Sequence, residues 1–161
     1  MKTQKLVRMA MFVALCGVGA LIKIPSPTGT VALDSLPGFM AAALIGGWGG
    51  AVVGALGHLF SGWTVGFPLS LPIHLFIAAQ MALYVSVFGY LFRKQQKVLA
   101  IVVAIILNGV LSPALFIPIF GMGFFISMVL PLTVMSAVNI VIASVLVQTS
   151  AVRKVGFAAN A

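Results

Sequence analysis

The chain has 161 residues, of which 62% are hydrophobic and only 6% are charged, with nine basic residues against one acidic residue. A soluble domain carries about a quarter charged residues, so this composition excludes a water-soluble globular protein and predicts one membrane-embedded domain covering residues 1–161. The net charge of +8 does not indicate a nucleic-acid partner, because most of the basic residues cluster beside apolar segments.

These basic clusters predict the orientation of the chain. The positive-inside rule places them in the cytoplasm. After the first crossing, an odd number of further crossings must then precede the second cluster. The clusters are Lys2, Lys5 and Arg8, then RKQQK at 93–97, then Arg153 and Lys154.

Six helices satisfy that condition, so the predicted fold is an all-α bundle of six transmembrane helices with both termini in the cytoplasm. The sequence GGWGG at 46–50 divides one apolar stretch into two short helices of about 12 to 15 residues each. A cleaved signal peptide is the alternative for the first segment, but no small-x-small cleavage site follows it. The predicted helices are Leu6–Ile22, two within Leu36–Leu59, Pro72–Phe92, Val98–Ile117, and one from Phe124 or Pro131 to Gln148.

Two stripes of small residues predict close helix contacts, which in lipid depend on packing rather than on the hydrophobic effect. The stripe in the glycine-rich stretch predicts a packing surface inside the chain. The stripe in the first helix fits either internal packing or docking of another membrane protein. The stripes are Gly46, Gly50, Gly54 and Gly57, and Ala10, Ala14 and Gly17.

Polar side chains at membrane depth are candidate site residues, because they are costly there unless they have a role. Asp34, the only acid, fits helix capping, pairing with Lys23 or ligand contact. His74 and His58 belong to the predicted outer half, around the segment FPLSLPIH at 67–74. Asn108 and Asn139 fit either ligand contact or interhelical hydrogen bonds. The predicted substrate-binding residues are Asp34, Trp63, Ser70, His74, Gln80, Tyr84, Asn108 and Asn139.

No motif for catalysis, metal binding or phosphate binding is present in the sequence, and one acid cannot supply a proton relay. We therefore expect neither an enzyme nor a cofactor or metal site. A small binding subunit that obtains its energy from another protein fits the composition better than an autonomous pump.

The chain resembles the substrate-binding membrane subunits, or S-components, of energy-coupling factor (ECF) vitamin importers. The resemblance covers essentially the whole length: small size, six predicted helices, a basic N-terminus, and Ala10 and Ala14 at the AxxxA positions of the first helix. It implies that Ala10, Ala14 and Gly17 dock the transmembrane coupling subunit. It also implies two cytosolic ATPases, and cargo delivery by toppling of the S-component in a prokaryotic cell membrane.

The substrate expectation comes from two stretches, DSLPGFMAAALIGGWGGAVVGALGHLFS and GFPLSLPIH. They look most like the branch associated with cobalamin precursors, in particular alpha-ribazole. Trp63, Tyr84 and phenylalanines would suit its aromatic base, and the polar site residues its sugar hydroxyls. Pantothenate or biotin is the alternative, with Lys23 for a carboxylate. A small structural or assembly protein and a channel are the alternatives from other classes.

Overall fold

The computed structural model describes residues 2–26 and 29–149, which form six helices and one short hairpin. The hairpin pairs β1 (Lys23–Ser26) with β2 (Gly29–Ala32) in antiparallel register. The predicted basic cluster at Arg153 and Lys154 lies outside the described residues. The helices are α1 (Lys2–Gly19), α2 (Leu36–Leu44), α3 (Gly47–Thr64), α4 (Leu71–Arg93), α5 (Lys97–Ala114) and α6 (Ile117–Gln148).

The predicted all-α membrane fold is confirmed at the level of its class. Within the described part of the chain, three helices are long and apolar enough to cross a membrane: α4, α5 and α6. The glycine-rich stretch is divided as predicted, since positive φ angles at Gly46 and Gly47 turn the chain between α2 and α3. The predicted lengths were wrong, because α2 has 9 residues and α3 has 18.

The connections between helices differ from the predictions in two places. The segment between α1 and α2 contains the β1–β2 hairpin, which no sequence pattern predicts. The fifth helix ends at Ala114 rather than Ile117, and α6 begins at Ile117 with Pro118 in its first turn, where a missing N–H costs nothing. The segment FFISMVLP therefore belongs to α6. Its helix follows a kink at Gly121, whose φ of 79° and ψ of 173° are not helical.

Close backbone contacts hold α2, α3 and α4 together. We call Gly38, Gly50, Gly54 and Gly89 the small-residue seam. A Cβ atom on Gly50 would lie 2.5 Å from Ala42 Cα, and one on Gly89 would lie 2.5 Å from the Ala42 carbonyl oxygen. Gly54 leaves equally little room beside Val85 of α4. The prediction of an internal packing surface in the glycine-rich stretch is confirmed.

One end of the bundle gathers basic side chains. The Arg93 guanidinium, at the end of α4, donates to the Ala42 carbonyl near the end of α2. The Lys5 ammonium lies 5.5 Å from the centre of the Trp48 ring at the start of α3. Lys97 Nζ donates to Gln148 Oε1 over 3.0 Å, which joins the start of α5 to the end of α6. The first residues of α1 and the last of α6 therefore lie at this basic end.

Candidate functional site

A cavity of about 170 Å³ lies at the opposite end of the bundle, and residues from the hairpin and from all six helices line it. The hairpin contributes Lys23 and Val31. The apolar lining combines methionine and phenylalanine with aliphatic residues and proline, and the polar lining groups are mostly uncharged. The polar and ionisable lining residues are Cys16, Lys23, Asp34, Ser35, His58, Ser61, His74, Asn108, Ser112, Ser136 and Asn139.

The loop between α3 and α4 covers one side of the cavity. Pro68 and Leu69 line it, and both are flanked by residues with positive φ, Phe67 at 50° and Ser70 at 79°. Such angles are uncommon outside glycine and persist only where the surroundings impose them. The Phe67 ring packs edge-on against His74, with 5.2 Å between ring centroids. This folded loop explains the prolines of FPLSLPIH, which hold the entry to α4 beside the cavity.

The two histidines meet across α3 and α4. His58 Nε2 and His74 Nδ1 are 3.1 Å apart, and the rings are nearly parallel, with an interplanar angle of 20°. His74 is only 6% exposed, and its second nitrogen, Nε2, is buried without a hydrogen-bond partner. A buried polar atom without a partner is costly, so it marks a place where a ligand group or water gains a strong contact.

A π-helical segment shapes the cavity wall formed by α5. In this segment, Ile106–Leu111, the chain makes a wider turn, and such turns are frequent at functional sites. Asn108 lies within it and donates from Nδ2 to Ser136 Oγ over 3.0 Å. Ser112 follows it and donates to Gln80 Oε1 over 2.6 Å. Asn108 thus retains its side-chain carbonyl and one N–H for a ligand.

The side-chain amide of Asn139 makes more hydrogen bonds than that of Asn108. Its Oδ1 accepts from the backbone N–H of Leu36, the first residue of α2, over 2.9 Å. Its Nδ2 donates to the carbonyls of Ala32 and Met135 at 3.1 and 2.9 Å. An amide has two N–H groups and two acceptor lone pairs, so only one acceptor position remains. Asn139 therefore holds the hairpin, α2 and α6 together, and Ser35 at the helix start makes no side-chain cap hydrogen bond.

Asp34 is the only carboxyl side chain of the protein, and it lies in the turn between β2 and α2. Burial raises its pKa above the ordinary value of 3.8, and a hydrogen bond with the Ser61 side chain opposes that shift. Raising the pKa of an acid favours its neutral form, because removal from water penalises the carboxylate. The cavity therefore contains a carboxyl group that is more easily neutralised than an exposed one.

The structure places half of the predicted substrate-binding residues at the cavity. Asp34, His74, Asn108 and Asn139 line it. Trp63 is 65% exposed on the outer surface, and Ser70 is exposed at the start of α4. Gln80 is buried behind Ser112, and Tyr84 lies one turn further along α4 with its hydroxyl buried and unpartnered. The role of each of these residues in substrate binding stays a prediction.

Several lining residues were not predicted. Phe116 and Phe124 offer aromatic surface to the cavity, where the sequence favoured Trp63. Ser61, Ser112 and Ser136 supply hydroxyl groups there. Serine is common in membrane helices as an interhelical contact, so its presence gives no sequence signal for a site. The position of Phe116 between Pro113 and Pro118 was the one available indication that this phenylalanine lies at a helix end.

The predicted docking residues of α1 fall into two groups. Ala10 and Ala14 are exposed on the outer face of the helix, whereas Gly17 is partly buried and leaves no room for a side chain beside the Phe60 ring. The outer face of α1 also exposes Val7, Met11 and Val18. Ala10 and Ala14 are therefore free to contact another protein, while Gly17 serves contact within this chain.

These features define the class of the protein: a helical membrane protein with a mostly apolar cavity at one end that also contains several polar side chains. In the described ranges 2–26 and 29–149, no group of three histidine, cysteine, aspartate or glutamate side chains is placed to hold a metal ion. The sequence model of the ECF transporter substrate-specific component family matches residues 4–150, and the chain belongs to this family. No curated protein and no solved structure matches it.

Membership of this family makes the chain a transporter subunit rather than an enzyme. A substrate-specific component provides the binding site for a small molecule. Family membership also implies that the chain works with the other parts of an ECF transporter, namely a transmembrane coupling subunit and ATPase subunits.

Proposed function

We propose that this protein captures a vitamin or vitamin precursor from outside the cell with high affinity. The observation that carries the proposal is the buried, unpartnered Nε2 of His74 beside a cavity that all six helices line. Small-molecule sites are typically concave and mostly apolar, with a few polar groups that fix the orientation of the ligand. The cavity has these properties.

The proposed topology has six crossings with both termini in the cytoplasm. Support comes from the basic end of the bundle, where Lys5, Arg93 and Lys97 lie together with the last residues of α6. Basic residues favour the cytoplasmic side, which puts the cavity at the outer side. The nine residues of α2 span only about 14 Å, less than half of a hydrocarbon core of about 30 Å, so a crossing at α2 requires the bilayer to thin there or the protein to shield the helix ends.

Alpha-ribazole is the substrate that we propose first. An apolar cavity of about 150 Å³ holds one benzene ring, so a cavity of about 170 Å³ suits an aromatic base with its polar substituent toward the mouth. Phe116 and Phe124 offer surface for stacking, and Asn108 and Ser136 offer hydrogen bonds. Complete cobalamin is far larger than this space. Pantothenate or biotin is the second candidate, and Lys23 in the cavity lining favours it.

Delivery proceeds, in this proposal, by toppling of the bundle against the coupling subunit, with energy from two cytosolic ATPases. The exposed face at Ala10 and Ala14 is the proposed docking surface. Substituting Ala10 or Ala14 by Trp should abolish uptake in cells that contain the coupling module while ligand affinity stays unchanged. Leu83→Trp is the matched control, because Leu83 is 59% exposed on α4, away from α1. Equal loss of uptake in the control would contradict docking through α1.

The direct test measures thermal stabilisation of the purified protein by alpha-ribazole, cobalamin, pantothenate and biotin. A ligand at 100 times its Kd stabilises a protein by about 2.7 kcal/mol, which gives a clear rise in melting temperature. We expect a shift with alpha-ribazole that His74→Ala abolishes. A shift with only one of the other vitamins would contradict alpha-ribazole as the substrate but would support the proposed binding function. No shift with any of them would favour a structural or assembly role.

A further inference from the structure

One ring nitrogen of the histidine pair lacks a hydrogen-bond partner, and it belongs to a residue that lines the cavity. The chain has two histidines, and the nitrogens that face each other, His58 Nε2 and His74 Nδ1, are 3.1 Å apart. Among the four ring nitrogens, His74 Nε2 is the one buried without a partner. His74 is 6% exposed and lines the cavity. A ligand that pairs with this nitrogen removes a cost present in the free protein.

The position of the His74 ring is fixed from two sides. A Cβ atom on Gly62 would lie 2.9 Å from His74 Nδ1 and 3.1 Å from the Phe67 ring, so only glycine allows this approach. The Phe67 ring contacts His74 edge-on at an interplanar angle of 61°. The imidazole therefore keeps Nδ1 toward His58 and Nε2 away from it.

The hydrogen bond couples the protonation of the two neutral rings. One of the facing nitrogens must donate and the other accept, and each neutral ring has one proton. If His58 Nε2 donates, His74 must carry its proton on Nε2, and its unpartnered nitrogen is an N–H group. If His74 Nδ1 donates, both rings carry the proton on Nδ1, and the unpartnered nitrogen of His74 is bare.

The first arrangement is favoured by the chemistry of the ring. Neutral histidine in water prefers its proton on Nε2, and only this arrangement keeps both rings in the preferred form. Its bare nitrogen is then Nδ1 of His58, a half-buried residue. We propose that His58 is a positioning residue that holds the proton of His74 on Nε2, so that the cavity selects ligands with a hydrogen-bond acceptor at that point.

The acceptor that this N–H selects is a carbonyl oxygen, a carboxylate or an aromatic ring nitrogen. The other ionisable lining groups are Cys16 of α1, Lys23 of β1 and Asp34 before α2. From α5 and α6 the cavity receives only neutral polar groups, among them Asn108 and Ser136. Lys23 and Asp34 carry opposite charges when ionised, so selection by His74 rests on its hydrogen bond more than on net charge. This selection depends on the proposed ligand-binding function, whereas the protonation of the pair does not.

The protonation is measured on the ligand-free protein with ¹⁵N-labelled histidine, using nuclear magnetic resonance couplings between ring protons and nitrogens. With only two histidines, His58→Leu assigns the signals. We expect both rings to carry the proton on Nε2 in the wild type. A proton on Nδ1 of His74, or the averaged signals of free histidine, would overturn the inference whatever ligand the protein binds.

Selection is measured with benzimidazole and indole, which differ by a ring nitrogen acceptor in place of C–H. In the wild type benzimidazole should bind about tenfold more tightly, the effect of one hydrogen bond to a group otherwise left unpaired. His58→Leu should remove this preference, and His58→Gln should restore it, because its amide can donate to His74 Nδ1 at similar reach.

The outcomes separate the two proposals. Equal binding of both probes by the wild type would refute selection by His74 and leave the aromatic site intact. Failure of either probe to bind, in a protein that remains folded, would refute the proposed aromatic ligand and the selection with it. A preference that persists in His58→Leu would show that His74 acts without His58 and would overturn the positioning role.

Discussion

The helices pack differently on two sides of the bundle, the small-residue seam and the wall formed by α5 and α6. The small-residue seam joins α2, α3 and α4 through close contacts, which at Gly50, Gly54 and Gly89 leave no space for a Cβ atom. The wall formed by α5 and α6 contains a π-helical segment, a kink at Gly121 and hydrogen-bonded serine and asparagine side chains.

The difference follows from what each side can tolerate. Where helices approach closely, dispersion contacts replace the missing hydrophobic effect, and the geometry is rigid. Where a cavity separates helices, irregular backbone and polar side chains are tolerated, because they face protein or ligand rather than lipid. We therefore expect the seam to contribute mainly to stability, and the α5–α6 wall to contribute more to recognition. Substitutions on the two sides should separate these properties.

The largest effect is expected in the seam. Gly50→Leu would force a side chain against the Ala42 backbone, which cannot move aside, so we expect a loss of about 3 kcal/mol or more and little folded protein. The yield of monodisperse protein and its melting temperature measure this. Gly123→Leu is the control, because no atom lies within 4 Å of a Cβ at Gly123. Equal damage from both substitutions would contradict the seam's role.

Asn139 connects the two sides, so its loss should affect both properties. Asn139→Leu removes the hydrogen bonds to Leu36, Ala32 and Met135, and we expect about 2 kcal/mol of lost stability together with weaker ligand binding. Chemical or thermal unfolding in detergent gives the first value and calorimetry gives the second. A variant as stable as the wild type would show that these contacts add little to the fold.

Asn108 should act mainly on recognition. Asn108→Leu breaks the single hydrogen bond to Ser136, and we expect about a tenfold loss of affinity, with less than about 1 kcal/mol of stability. Comparing its affinity and melting temperature with those of Asn139→Leu sharpens the separation. A loss of stability as large as in Asn139→Leu would place Asn108 among the residues that hold the bundle together.

Asp34 gives a smaller effect that depends on pH. Its raised pKa means that the folded protein binds the proton more tightly than the unfolded chain, so stability falls as the pH rises from 3.8 through the raised value. Asp34→Asn should remove this fall and be more stable than the wild type at neutral pH. Melting temperatures of the ligand-free protein between about pH 4 and pH 8 test this. Matching pH profiles for the two proteins would assign the slope to other groups.

The smallest effect is expected at Tyr84. Its hydroxyl is buried without a partner, so Tyr84→Phe should leave stability unchanged or raise it by about 1 kcal/mol or less. Affinity should not change, because Tyr84 lies behind the cavity lining. A tenfold loss of affinity would instead support the role in binding that the sequence predicts for Tyr84.

The sequence predicts the seam better than the wall. Gly50 and Gly54 recur at helical spacing, and that spacing alone places them on one face where another backbone can approach. No local pattern predicts the π-helical turn at Asn108, and the only local sign of the kink at Gly121 is the glycine that permits its positive φ angle. The hairpin was missed because each strand has four residues, too few to show an alternating pattern, and its prolines suggested a loop.

The sequence predicts those site residues whose type is unusual in an apolar chain. Asp34 and His74 are ionisable groups in an apolar chain, and both line the cavity. The aromatic ring of Trp63 suggests a role in binding. Trp63 instead lies at the end of α3 with its side chain exposed, as is typical of amphipathic rings at a membrane interface. Periodicity could not distinguish Phe116 from the other eleven phenylalanines.

The amide of Asn139 has a mechanical consequence for access to the cavity. The same side chain holds the last residue of β2 and the first N–H of α2 while lining the cavity. A ligand that draws toward itself the N–H bonded to Ala32 must release that carbonyl. Binding of such a ligand would then loosen the hairpin, because the same amide lines the cavity and holds β2 in place.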